Sequence, residues 1–312
     1  MNNIRVRFRH LQCFLTIAQL RSVGAAANAL AITQPALSKT LRELEDALGT
    51  KLFTRDKKGM LLTRAGETFL QHAAASVASI REGIDSIRQS QAASGLEIRI
   101  GVLPNVAASL APQAVHRFKR HSAHTAVRVV AGDNARLLDQ LRIGELDLVV
   151  GRLAQPEYMV GLTFEHLFSE PLTVVVRRRH PLTRVKRFKL TMITGFPCVM
   201  PFHGTIIRHE IDRFLLEQGI PQPSNLVETT SGDFGQTYVQ QTDAIWFIPR
   251  GYMASSAAQK LLVELPIDSR SLEGPVGITV RSDTKMNSAV ERMMEAIRAE
   301  AAERTRRIAK ME

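Results

Sequence analysis

The sequence predicts an α/β protein with a helical N-terminal part, on three observations. Two short helical patterns lie back to back across residues 22–45. One long helical pattern spans residues 63–91, with apolar residues recurring at steps of three and four. From residue 96 onward, short apolar runs alternate with helical stretches, as when strands feed helices in a sheet. At 312 residues the chain is too long for one small domain, and 45% hydrophobic content supports a well-buried core. A net charge of +11 and a pI near 10.2 favour a polyanionic partner.

The first pattern reads as two helices joined by a tight turn. Ser22 is placed to cap a helix in which Ala26, Ala27 and Leu30 share one face, and the small alanines let a second helix approach closely. Thr33 caps that second helix, with Pro35 in its first turn, where a missing N–H costs little. Leu37, Leu41 and Leu44 then make a buried stripe, so Gln34, Ser38, Lys39 and Arg42 face outward. This is the layout of a helix-turn-helix whose second helix enters the DNA major groove, with Gln34, Pro35, Ser38, Lys39 and Arg42 as its candidate DNA contacts.

An Ala-rich helical hairpin on an enzyme surface would share that pattern, but the following residues argue against it. Leu52-Phe53-Thr54-Arg55 leads into a short hairpin from Asp56 to Thr63 with a basic, Gly-containing tip. It reads as a wing, with Arg55, Lys57 and Lys58 placed to meet phosphates. Residues 1–66 hold 11 Lys and Arg against 4 Asp and Glu, a net of +7, the electrostatic footprint of DNA binding.

Along the long helix, Phe69, Ala73, Val77, Ile80, Ile84 and Ile87 come close to a coiled-coil seam. The seam either pairs with a second chain or buries itself on the chain's own C-terminal domain. Ala92-Ala93-Ser94-Gly95 ends the helix and reads as a hinge. The later elements are strands at 97–103, 127–130, 146–150, 172–177, 198–200, 226–228, 244–247 and 276–280. Between and after them lie helices at 106–120, 135–143, 205–218, 233–241 and 285–306.

Several motifs fall in order at a shared spacing: Phe8-Arg9-His10-Leu11-Gln12-Cys13-Phe14, Gly24-Ala25-Ala26-Ala27, Thr33-Gln34-Pro35-Ala36-Leu37-Ser38, Leu41-Arg42-Glu43-Leu44-Glu45, Leu52-Phe53 and Leu62-Thr63-Arg64-Ala65-Gly66. Together they resemble the LysR-type transcriptional regulators, specifically over residues 5–70 and more weakly over the whole chain. Arg9 to Leu15, Lys39 to Glu45 and Phe202-His203-Gly204-Thr205 resemble the branch that governs protocatechuate catabolism. The resemblance implies a winged helix-turn-helix at 1–66, a linker and dimerisation helix at 67–94, and an effector-binding domain at 95–312. That domain would be two-lobed, similar to periplasmic substrate-binding proteins, with lobe I at about 95–168 and 273–312 and lobe II at about 169–272. It further implies a homodimer or homotetramer on an interrupted palindromic operator, contact with RNA polymerase, and a small carboxylate effector from aromatic catabolism.

Ligands in open α/β sheets sit beyond the carboxyl ends of strands, where loops meet helix N-termini. Thr205 begins a helix, with Gly204 before it and Arg208 one turn later. The group either grips an organic anion or is an N-cap beside a surface ion-pair partner. Thr230 and Ser231, before Asp233, likewise either touch a ligand or only cap a helix. Asn105, after Pro104, is a cap, a contact or both, and Arg152 is a second candidate cation. Phe202 and His203 suit an aromatic acid, while Trp246 reads as a core residue.

Enzyme signatures are missing from the sequence. Asp233-Phe234-Gly235 spells a kinase tripeptide without its partners, and no Gly-x-Gly-x-x-Gly, phosphate-binding loop or Gly-x-Ser-x-Gly occurs. A Rossmann enzyme would show a cofactor loop, and a solute-binding protein would gain nothing from residues 1–66. No cofactor or metal is expected, since His121 and His124 lack nearby acidic or thiol ligands. Cys13 and Cys198 read as buried cytosolic thiols rather than a disulfide. Met1 to Arg9 is basic with no apolar run behind it, and no run is long enough to span a bilayer, so a cytoplasmic location is expected.

Overall fold

The computed structural model describes residues 6–56, 59–91, 97–254, 260–269, 272–282 and 286–309. The chain forms two compact units: 1–95 together with 138–146, and 96–137 together with 147–312. Residues 138–146, which the sequence places in the effector-binding domain, group with the first unit.

In the first unit, α1 (Phe8–Leu20), α2 (Val23–Ala29) and α3 (Gln34–Leu48) precede strands β1 (Phe53–Asp56) and β2 (Gly59–Leu62) and helix α4 (Arg64–Gln91). The caps fall where expected: Ser22 Oγ accepts from Ala25 N–H at 3.2 Å and Thr33 Oγ1 from Ala36 N–H at 3.4 Å. Ala31 makes the turn between α2 and α3 in the left-handed region at φ 54°, while Ile32 N–H reaches back to Ala27 O at 3.0 Å. Ala26 and Ala27 are buried with Phe14, Ile17, Leu37 and Leu44, the close approach that small side chains permit. Glu45 fastens α3 to the chain entering β1, accepting from Leu52 N–H at 2.9 Å and from Lys51 Nζ at 2.7 Å. Gly59 closes the β1–β2 hairpin at φ 111°, where a Cβ would lie 2.4 Å from Arg21 O. Any side chain there would push the hairpin off the helical core.

Helix α4 splits the predicted seam. Ala73 and Val77 are buried in the helix-turn-helix core and Phe69 packs against it, so the N-terminal half finds its partner inside the first unit. Ile80 and Ile84 remain 45% exposed each, and Ile87 is exposed as well. The expected hinge at 92–95 lies outside the described residues.

The second unit is built on a nine-stranded sheet. Its strands are β3 (Glu97–Val102), β4 (Ala126–Ala131), β5 (Leu148–Arg152), β6 (Leu162–Arg177), β7 (Cys198–Met200), β8 (Leu226–Glu228), β9 (Ile245–Pro249), β10 (Leu262–Glu264) and β11 (Glu273–Arg281). They run in the order β4-β3-β5-β11-β6-β9-β7-β8, with β10 also on β6. Parallel pairing within β4-β3-β5 and within β8-β7-β9 makes two α/β lobes. Strand β6 joins them, pairing with β11 as far as Pro171 and then with β9 from Leu172. The helices are α5 (Pro104–Ser109), α6 (Ala111–His121), α7 (Asn134–Arg142), whose residues from 138 onward group with the first unit, α8 (Ile206–Glu217), α9 (Gly232–Gln241) and α10 (Ser288–Ala309).

Each lobe has its own core. Lobe I buries Ile98, Ile100, Val102, Leu148 and Val150 against Phe118 of α6 and Met293 and Ile297 of α10. In lobe II, alternation along β6 sends Val174 and Val176 to the face under Ile211, Phe214 and Leu215 of α8. Val175 goes to the opposite face with Trp246 and Val239. Because both faces are covered, these residues read in sequence as one apolar run.

Two expectations about elements are corrected, and one strand was not expected at all. The helix expected at 106–120 breaks at Leu110 into α5 and α6, because Pro112 enters the first turn of α6 without an N–H to continue the ladder. Strand β6 begins at Leu162 rather than Leu172. Residues 162–171 mix Thr163, Glu165, His166, Ser169 and Glu170 with Pro171, and pairing with β11 makes the strand that their own pattern hides. Strand β10 is only three residues long, and no sequence pattern marks it.

Candidate DNA-binding helix and ligand cleft

On α3, Leu37 and Leu44 have no exposed surface and Leu41 is 8% exposed, which anchors one face of the helix. Gln34, Pro35, Lys39 and Arg42 are exposed on the other side, and Ser38 is half-buried. The helix therefore offers a polar, cationic surface of groove-reading residue types on a packed support. Arg55 is exposed on β1. Lys57 and Lys58 lie outside the described residues. Behind α3, Arg9 pairs with Glu43 at 3.0 Å, and His10 Nδ1 accepts from Arg7 N–H at 3.1 Å to start α1.

A cleft of about 830 Å³ opens in the second unit where the carboxyl ends of the parallel strands of the two lobes converge. Of the predicted ligand residues, Pro104, Asn105, Phe202, His203, Thr205, Thr230 and Ser231 all line it. Thr205 and Ser231 cap α8 and α9, accepting from Arg208 N–H and Phe234 N–H at 3.3 Å each. Thr205 also donates to Phe202 O at 2.9 Å. The Thr205 hydroxyl is thus spent on its helix start and the Ser231 oxygen accepts at its own, while the first backbone N–H groups of two helices remain at the cleft wall, the ordinary means of holding an anion.

Arg208 is the clearest correction. Its side chain is 2% exposed and lies outside the cleft lining. It donates to Asp212 at 2.8 Å, Glu228 at 2.6 Å and Pro201 O at 3.2 Å, and to His203 Nε2 at 2.8 Å. A guanidinium can only donate, so His203 accepts through Nε2. The charge pins the loop before α8 from behind instead of facing a ligand. Asn105 is corrected as well: Leu103 is the N-cap residue of α5, and the Asn105 amide donates to buried Glu170. Glu170 is also held by Arg304 at 2.8 Å and by Gly251 N–H at 3.1 Å.

A buried cation that does line the cleft is Arg152, 4% exposed at the end of β5. It donates to Leu272 O at 3.2 Å and stands 2.8 Å from Glu210 of α8. Burial pushes the Glu210 carboxyl up, with Arg152 opposing, and pushes the Arg152 guanidinium down, with Glu210 and Glu170 opposing. Arg136 is exposed on the rim. Trp246, Tyr252 and Tyr158 also line the cleft and were missed as ligand residues. Trp246, the second residue of β9, is both core and wall, and no strand-end position marked it in the sequence. Tyr252 meets it edge-on at 5.3 Å, and burial, reinforced by Asp233, raises its phenol so that the hydroxyl stays a donor.

Among the described residues, no group of three or more His, Cys, Asp and Glu is placed to hold a metal, and no helix is long and apolar enough to cross a membrane. Cys13 and Cys198 are both buried and free, and burial pushes the Cys198 thiol up to about 12.

The family model described as a bacterial regulatory helix-turn-helix protein of the lysR family matches residues 8–67, and the LysR substrate binding domain model matches residues 91–302. The chain is similar to the HTH-type transcriptional regulator PcaQ of Agrobacterium fabrum, at 42% identity over 96% of each chain. In fold it is similar to a full-length OxyR variant from Pseudomonas aeruginosa, with a TM-score of 0.59 at 22% identity, covering 94% of this chain and 95% of that one. It is also similar to full-length CbnR in complex with its target DNA, with a TM-score of 0.52 at 20% identity, covering 95% and 100%. With helix-turn-helix and substrate-binding domain both matched in order, the chain belongs to the LysR family: it is a DNA-binding transcriptional regulator with an effector-binding domain, not an enzyme.

Proposed function

We propose that this regulator switches transcription in response to a small carboxylate held in the cleft, an aromatic acid or its ring-cleavage product. The carrying observation is the cleft itself: Trp246, Tyr252 and Phe202 supply aromatic walls, and the capped starts of α8 and α9 supply backbone donors. The likeness to PcaQ and to the protocatechuate branch supports the aromatic part of the reading. Arg136 on the rim supplies positive potential toward a carboxylate, while the charge of Arg152 in the wall is met by Glu210.

On the DNA, Gln34, Ser38, Lys39 and Arg42 read base edges or nearby phosphates, Pro35 starts the helix beside them, and Arg55, Lys57 and Lys58 grip the backbone. Two chains joined along the Ile80–Ile84 stretch of α4 hold two half-sites of an interrupted palindrome, as a homodimer or a pair of dimers. The 1–66, 67–94 and 95–312 division assigns these roles to separate segments, and the protein acts in the cytoplasm with RNA polymerase. The effector shifts an equilibrium between DNA-bound assemblies by differing affinity for them. Calorimetric titration with protocatechuate, carboxymuconate, benzoate and a neutral sugar tests the reading. One of the acids should bind and change the operator complex. Binding of the sugar alone would overturn it.

A further inference from the structure

We propose that the segment Arg177–Lys189 of lobe II is a second duplex-binding surface, which contacts DNA phosphates in addition to the helix-turn-helix. It follows from the family's DNA binding and is independent of the effector reading above. The segment reads Arg-Arg-Arg-His-Pro-Leu-Thr-Arg-Val-Lys-Arg-Phe-Lys, seven cationic residues in thirteen with no Asp or Glu. Its net +7 equals that of the entire 1–66 region in a fifth of the length.

Among the described residues, only Arg177 of this segment is neutralised, by Asp243 at 2.7 Å. Arg178, Arg179, Arg184, Lys186, Arg187 and Lys189 are exposed, and among the described residues none of the six is ion-paired with an acidic side chain. Arg178 donates to Lys260 O at 2.9 Å, a backbone contact that leaves its charge uncompensated.

The segment is also firmly anchored. His180 has no exposed surface; its Nδ1 accepts from Leu182 N–H at 3.1 Å, and its Nε2 lies 3.0 Å from Asp243 O. Its ring stands 4.5 Å from Phe196. Leu182 is buried in the lobe II core, Phe188 packs against that core, one 3₁₀ turn at Pro181–Arg184 lies within the stretch and another at Leu190–Gly195 follows it. With His180, Leu182 and Phe188 pointing in, the cations are displayed outward from a fixed frame, so binding orders less chain than a loose basic tail would.

A surface needing only solubility interleaves both signs, whereas crowding one sign on an ordered loop costs repulsion that a polyanion relieves. Four of the six cations are arginines, whose planar fork matches phosphate oxygens two at a time. Duplex DNA presents a phosphate charge about every 1.7 Å of its axis.

The test uses the full chain and a fluorescent random-sequence duplex of about 60 base pairs, titrated by anisotropy between about 50 and 300 mM salt. Each lost phosphate contact lowers the slope of log K against log salt by about 0.9. The combined variant Arg184→Gln, Lys186→Gln, Arg187→Gln, Lys189→Gln should therefore flatten the slope by about 2 to 3.5 while keeping the wild-type melting temperature. The milder pair Lys186→Gln, Arg187→Gln should flatten it by about 1 to 2, which guards against misfolding of the fourfold variant. Added to Lys39→Ala, Arg42→Ala, the fourfold change should remove most of the residual duplex binding. Unchanged slopes in both neutralised variants would overturn the proposal. So would a defect that appears only when RNA polymerase is added, because the partner would then be an acidic protein surface.

Discussion

Replacing Arg208 with methionine separates a structural role from a ligand-binding one. The substitution keeps a long buried side chain but removes hydrogen bonds to Asp212, Glu228, Pro201 O and His203. Hydrogen bonds to charged partners net about 1.5–3 kcal/mol each. The side chains of Asp212 and Glu228 are 28% and 32% exposed and regain water when abandoned, so the lower end applies. The two together give about 3 kcal/mol, with the neutral bonds roughly offset by the apolar burial of methionine. A domain of this size loses about 2–4 °C per kcal/mol, so its melting temperature should fall by about 6–12 °C. Scanning calorimetry reads that shift. Titration well below the melt should then find effector affinity within about threefold of wild type, since the guanidinium lies outside the cleft lining. A melt within about 2 °C of wild type, combined with a hundredfold loss of effector affinity, would refute the reasoning and return Arg208 to the ligand.

Gln34→Ala or Arg42→Ala should cost about 1–3 kcal/mol on the operator and relax its choice, whereas Arg55→Ala should weaken all duplexes alike; gel shifts on specific and scrambled DNA compare them. Ile80→Asp puts a charge on an isoleucine already 45% exposed, so the isolated chain should keep its fold while light scattering shows a smaller assembly and operator affinity falls. An unchanged assembly would exclude this stretch of α4 as the seam. Glu45→Ala strands the buried Leu52 N–H and should destabilise the helix-turn-helix by about 1–3 kcal/mol, measurable by urea unfolding. Burial holds His180 below its ordinary value of 6.5, so the unfolded chain takes up the proton first as pH falls. The stability from His180 is complete above about pH 6.5 and is lost on further acidification, a dependence that should shrink in His180→Gln.

Local rules made the helix-turn-helix legible. Capping at Ser22 and Thr33, the Leu37-Leu41-Leu44 stripe and the alanine contact all act within a few residues, and each forms where its spacing placed it. The strand-end loops of the cleft were legible for a related reason: a parallel α/β lobe brings the carboxyl ends of its strands to one side whatever its loops contain. The individual roles within those loops were not. Thr205 and Arg208 spell the same motif whether the guanidinium faces a ligand or an acidic residue twenty positions away, and Glu228 decided it. Asn105 reads as a cap because its partner, Glu170, lies on a strand that residues 162–171 do not announce.

The amino-acid sequence by itself determined what depends on near neighbours: the capped helices, the groove-facing polar row on α3, the apolar period of α4, the strand-helix alternation and the excess of positive charge. Tertiary structure alone decided which of two equally good partners each charged group takes. It set Arg208 behind the cleft and Arg152 in its wall, made Trp246 both core and surface, and buried half of the α4 seam while leaving Ile80 and Ile84 exposed. The physical reason is that a charge or an apolar face is satisfied by whatever the fold carries to within a few ångströms, and residues such as Glu228, Glu210 and Phe14 arrive there from distant parts of the chain.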